Sequence, residues 1–123
     1  MPESARVTTA RWFAVAALMA VIFGLSSMPG SAIPGIVADY SLVAHFTEYA
    51  LLGALAIGAA GAGKTGARLA VIVLLACSLY GASDEFHQSF VPGRTPDPVD
   101  WATDTAGAAA GIAAILIVRR RRS

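Results

Sequence analysis

Four apolar stretches, residues 12–28, 41–62, 69–83 and 99–118, divide the chain, and the polar residues gather between and after them. Crossing about 30 Å of hydrocarbon takes about 17–25 helical residues. Three of the stretches meet that length, and the third does so if its helix continues through residue 88. The pattern therefore predicts an all-α membrane protein: four transmembrane helices, about 12–28, 41–62, 69–88 and 99–118, in one antiparallel bundle. A short basic tail, 119–123, follows, and residues 1–123 read as a single domain. Pro29-Gly30 marks the stop of the first helix. Residues 31–40 form a short loop, 58–66 a glycine-rich turn around Lys64, and 90–98, with three prolines and a glycine, a rigid turn.

The charges sharpen this picture. Arg6, Arg11, Lys64, Arg68, Arg119, Arg120, Arg121 and Arg122 fall at one set of helix ends. Asp39, Glu48, Asp84, Glu85, Asp97, Asp100 and Asp104 fall at the other, joined by Arg94. Short cytoplasmic loops are enriched in Lys and Arg, so both termini are expected inside. Only 14% of residues are charged and 56% are hydrophobic, against about 25% charged in soluble domains. A net charge of +1 gives no reason to expect a nucleic-acid partner, and the arginine tail suits anionic inner-leaflet lipid. Cys77, the single cysteine, excludes an internal disulfide and reads as packing.

Two competing readings arise. Arg6 and Arg11 ahead of an apolar run and a small-residue segment resemble a cleaved leader, but the run is long and lacks an A-x-A site, so a retained span is expected. Residues 58–65 spell G-x-x-x-x-G-K-T, yet they join two spans with no strand before them, which excludes a phosphate cradle. Gly107-x-x-x-Gly111 on the fourth helix and Gly53, Gly58 and Gly61 on the second are expected to let helices approach closely inside the bundle, and self-association stays compatible with them.

The chemistry is expected at the acidic ends. His45, Glu48 and Tyr49 share one face of the second helix, at i, i+3 and i+4. Asp84, His87 and Gln88 repeat that spacing on the third helix, with Glu85 on the adjoining face, where water is its plain alternative. Asp97, Asp100 and Asp104 form a stripe on the fourth, which continues to Gly107 and Gly111. Plainer roles compete. Asp97 or Asp100 is suited to cap the fourth helix, Tyr49 and Trp101 suit the membrane interface, and Arg94 suits neutralisation of surplus carboxylates. Glu48, His45 and Asp104 resist such explanations, because each lies about one helical turn or more inside its span.

Carboxylates this close cannot all ionise without a cation among them. Arg94 is one candidate. A divalent metal on His45, Glu48, Asp84 and His87 is another, although that spacing matches no named motif, and no other cofactor is expected. Three functions follow. His45, Glu48, Tyr49, Asp84, Glu85, His87, Gln88, Arg94, Asp97, Asp100 and Asp104 could bind the headgroup of a lipid-linked molecule. A hydrolase or transferase could use Glu48 or Asp84 as base, His45 or His87 as proton carrier and Arg94 on an oxyanion or phosphate. Or the charges only set helix register in a structural or regulatory subunit. The inner halves of the third and fourth helices are almost purely apolar, which argues against a transport path.

One family carries these elements in order. His45-x-x-Glu48-Tyr49-x-x-x-Gly53, Asp84-Glu85-x-His87-Gln88-x-Phe90-Val91-Pro92-Gly93-Arg94-x-x-Asp97-x-x-Asp100 and Asp104-x-x-Gly107 resemble the VanZ-like family. These are small bacterial membrane proteins named for one linked to teicoplanin resistance. The resemblance runs from the second helix to the end of the fourth and departs at Asp104, where members commonly have Asn. It implies a multi-pass protein of the bacterial cytoplasmic membrane, acting at the cell envelope beside membrane lipids. Teicoplanin carries an acyl chain that vancomycin lacks, so a site at the outer membrane–water boundary would suit such an amphiphile or an endogenous envelope lipid.

Overall fold

The computed structural model describes residues 2–36, 41–61 and 66–122. Asp39, and Lys64 with half of the P-loop lookalike (62–65), lie outside the described residues. Among the described residues four long helices carry the fold: α1 (Glu3–Ser26), α2 (Ser41–Ala60), α3 (Ala67–Gln88) and α4 (Pro98–Arg122), with one 3-10 turn, Gly30–Ala32, after α1. Each of the four is long and apolar enough to cross a membrane. At 1.5 Å per residue they span about 30–37 Å.

Two boundaries differ from the hydropathy pattern. The first helix begins at Glu3 instead of residue 12, and the fourth keeps the arginine tail inside the helix up to Arg122. The reason is local. Arginine is a good helix former, Glu3 meets the positive end of the α1 dipole, and the four arginines meet the negative end of α4.

Consecutive helices alternate in direction, yet the most extensive pairing is between α2 and α4. These two run parallel, Phe46 opposite Gly107 and Ala50 opposite Gly111. A Cβ on Gly53, Gly107 or Gly111 would collide with the backbone carbonyl of Ala108, Phe46 or Ala50 respectively. The small-residue stripe is therefore used within the chain, letting two backbones touch where no hydrophobic effect drives helices together. Tyr49, Leu52, Ile57, Val73, Cys77, Ala108 and Ile112 fill the interior beside it, with Val15 and Ile22 of α1 closing one side.

The arginine end is tied by backbone caps. Arg11 Nη1 donates to the Gly58 carbonyl at 3.1 Å and Arg119 Nη1 to that of Gly61 at 2.6 Å, so α1 and α4 both satisfy the last carbonyls of α2. Outside, Phe13, Val43, Leu79, Phe86 and Phe90 are exposed. An apolar exterior over all four helices is the surface a lipid solvent requires.

Replacing Gly111 by Val should separate α2 from α4 and cost about 1–3 kcal/mol or more, read as a lower unfolding midpoint in detergent. Gly58→Val, where an added Cβ has open space around it, should leave the midpoint within about a degree.

Candidate functional site

At the acidic end the C-termini of α1 and α3 meet the N-termini of α2 and α4. The connecting segments cross there. The Gly30 amide donates to the Pro92 carbonyl at 2.9 Å, and a Cβ on Gly30 would collide with the Gly93 carbonyl. Gly93 itself has φ +74°, a left-handed conformation open to glycine. This turn aims Arg94 back at α1, where its Nη1 donates to the carbonyls of Leu25 (3.3 Å) and Met28 (3.0 Å). Among the described residues the guanidinium pairs with no carboxylate within 4.0 Å. In place of a direct ion pair, the guanidinium caps the end of α1, where helix-end carbonyls have no partners of their own.

Below the crossing lies a cavity of about 490 Å³. His45, Glu48, Gln88, Arg94 and Asp100 supply its polar wall, while Leu25, Met28, Ile33 and Pro34 supply an apolar one. The second, third and fourth helices are thus joined by α1, whose last turn the sequence left out of the site.

Beneath the cavity the polar layer is buried. His45 Nδ1 and Asp104 Oδ1 are 2.7 Å apart, and Asp104 is completely buried, with Gly81 packed against it. With Asp104 as a carboxylate, Nδ1 donates and Nε2 turns to Asp100, whose Oδ2 is 3.9 Å away. Asp84 is buried beside Ser26. Tyr49 is completely buried, so it is no interfacial aromatic. Glu85 does not reach water: it is buried, and its Oε2 accepts the Asp97 amide at 2.8 Å. Asp97, in turn, caps α4 by accepting the Val99 amide at 2.9 Å, and Asp100 sits in the first turn. Trp101 remains at the exposed surface, with its indole N–H on the Ser78 carbonyl.

His87 leaves the group. Ser27 gives its hydroxyl proton to the Phe23 carbonyl (2.7 Å), so His87 Nε2 is the donor in the 2.9 Å bond to Ser27 Oγ. The ring stacks on Phe23 with centroids 4.4 Å apart. The expected metal quartet His45, Glu48, Asp84 and His87 therefore does not assemble. Among the described residues the set whose donor atoms lie within 4.8 Å of one another is His45, Glu85 and Asp104.

Sequence reasoning missed Ser26, Ser27, Met28 and Gly30. A polar Ser-Ser pair closing an apolar span was their one signal, and the same residues also fitted a cleavage site.

A family model described as VanZ/LLP1 matches residues 11–119. No curated protein matches the chain, and no solved structure does.

Arg94→Ala should release the end of α1 and cost about 1–2 kcal/mol, measured as thermal unfolding in detergent. Arg94→Lys should recover only part of that loss, since one ammonium cannot reproduce the guanidinium fork.

Proposed function

The chain belongs to the VanZ/LLP1 family and is a multi-pass membrane protein; from that premise we propose that its acid-end cavity binds the headgroup of a lipid-anchored envelope molecule or lipoglycopeptide. The observation that carries this reading is the mixed lining: charged and amide groups share one cavity with apolar side chains. An amphiphile needs both. Arg94 offers an anion partner, Glu48 and Asp100 accept from hydroxyls or amines, and Leu25, Met28 and Ile33 receive the start of an acyl chain. Mostly apolar pockets with a few placed polar groups are the usual form of small-molecule sites.

Orientation follows from the charges. Arg6, Arg11, Arg68 and the four arginines of α4 share the end opposite the cavity. The positive-inside rule assigns that end to the cytoplasm of a bacterial inner membrane and turns the cavity outward. Membrane lipids are then the constant neighbours, and a contribution to teicoplanin-type resistance becomes the expected phenotype.

One observation favours a second reading. A carboxylate holding Nδ1 of a cavity-lining histidine is an arrangement that prepares Nε2 as a general base, here Asp104 behind His45. A hydrolase or transferase acting on a lipid-linked substrate would use it.

Fusions at residue 123 should give a fluorescent cytoplasmic reporter and an inactive periplasmic phosphatase; the opposite pattern would turn the cavity inward and remove the reading. In a sensitive bacterium at matched membrane levels, the wild type should raise the inhibitory concentration of teicoplanin but not vancomycin. Glu48→Gln and Asp100→Asn should each cut that protection at least fourfold. Full protection in both variants would leave the cavity without this role. His45→Gln that still binds but no longer consumes a labelled lipid substrate would establish the enzymatic reading instead.

A further inference from the structure

The buried layer under the cavity has a chemical demand that its own hydrogen bonds do not meet. Asp104 Oδ2, Glu85 Oε1, Asp84 Oδ1 and Tyr49 Oη are all buried without a hydrogen-bond partner among the described residues. Asp104 is 0% exposed, Asp84 4% and Glu85 8%. Buried polar atoms without partners are uncommon and call for a specific cause, such as an ion or an ordered water. Here three of the four are carboxylate oxygens, converging from α3 and α4 on a histidine of α2. Isolated buried carboxylates are strongly unfavourable unless paired or coordinated to metal. Arg94 makes no hydrogen bond to them among the described residues: its bonds go to the carbonyls of Leu25 and Met28 at the end of α1.

We propose that His45, Glu85 and Asp104 bind one divalent first-row transition ion in the enclosed layer beneath the cavity. One donor atom from each lies within 4.8 Å of the others. Zinc bonds of about 2.0–2.2 Å to nitrogen and oxygen would need closure by roughly an ångström or less to share one ion. The ion would take the place of the proton that His45 Nδ1 shares with Asp104 Oδ1. The unpartnered Asp104 Oδ2 and Glu85 Oε1 are the oxygens free to turn to it. Asp100 Oδ2, 3.9 Å from Nε2, is then placed to hold the ring from its other nitrogen, the usual device for orienting a ligand imidazole.

The donor set selects the metal. Calcium and magnesium take oxygen ligands, and magnesium retains several waters. A nitrogen with two carboxylates suits zinc, manganese or ferrous iron. Glu48 separates this inference from what occupies the cavity, because it lines the cavity and is not in the trio, whereas His45 belongs to both.

The test uses the full chain in lipid nanodiscs, stripped with chelator and titrated separately with Zn²⁺, Mn²⁺, Mg²⁺ and Ca²⁺. Zinc or manganese should remain at about one ion per chain after desalting and raise the melting temperature by about 5–10 °C at about a hundredfold excess over Kd. Glu85→Gln and Asp104→Asn should each weaken binding at least tenfold, whereas Glu48→Gln should keep it within twofold while losing teicoplanin protection. Should the carboxylate variants fail to fold, pulsed EPR of Mn²⁺ on the wild-type chain decides: coupling to an imidazole nitrogen is expected. Retention below about 0.1 ion per chain, manganese bound without nitrogen coupling, or equal stabilisation by Mg²⁺ would each overturn the assignment. A cavity that still protects against teicoplanin under those results would show that the metal inference alone had failed.

Discussion

Backbone contact between α2 and α4 is the constraint on which the rest of this molecule depends. Gly53, Gly107 and Gly111 permit it, because any Cβ at those positions would enter the facing carbonyls. Its consequence appears at the acidic end of the same pair, where His45 and Asp104 meet at 2.7 Å in a buried layer. A hydrogen bond there is electrostatically stronger than in water, and an unmade one is correspondingly costly. The approach of the helices and the His45–Asp104 bond thus support each other: small residues set the distance, and the polar pair sets the register.

The second element of the design is a crossing of loops. Gly30 lies against Gly93, and this brings Arg94 onto the carbonyls that end α1. In lipid an unsatisfied helix end is expensive, so an arginine that caps one helix from the turn between two others ties three elements together. It also gives the cavity its apolar wall, since the capped turn carries Leu25 and Met28. Arg11 and Arg119 play the same role for α2 at the opposite end. Each of the three arginines donates to a backbone carbonyl.

The acidic end therefore has two storeys with different physics. The upper one is a cavity lined by both charged and apolar side chains, the form an amphiphile requires. The lower one is closed, rich in acceptors and poor in donors, the form a cation requires. His45 belongs to both, lining the cavity and holding Asp104. Natural chains break local rules of polar satisfaction chiefly where function lies, and the four unpartnered oxygens gather in this one layer.

Much of this was written in the one-dimensional pattern. Hydropathy determined four spanning helices, charge segregation divided the bundle into an acidic and an arginine end, and i, i+3, i+4 spacing placed His45, Glu48 and Tyr49 on one helix face. The spacing of Asp100, Asp104, Gly107 and Gly111 likewise marked the inward stripe of α4. Such features depend only on helix geometry and on transfer from water to lipid, which are local properties of a segment. The tertiary structure alone decided which helices touch and how each is rotated. Packing of α3 against α4 set Glu85 on the Asp97 amide, and the turn at Gly93 sent Arg94 to carbonyls. The Ser27 hydroxyl drew His87 away from the cluster. These outcomes rest on rotation about helix axes and on contacts between residues some 60 positions apart. Periodicity within one segment carries no information about either.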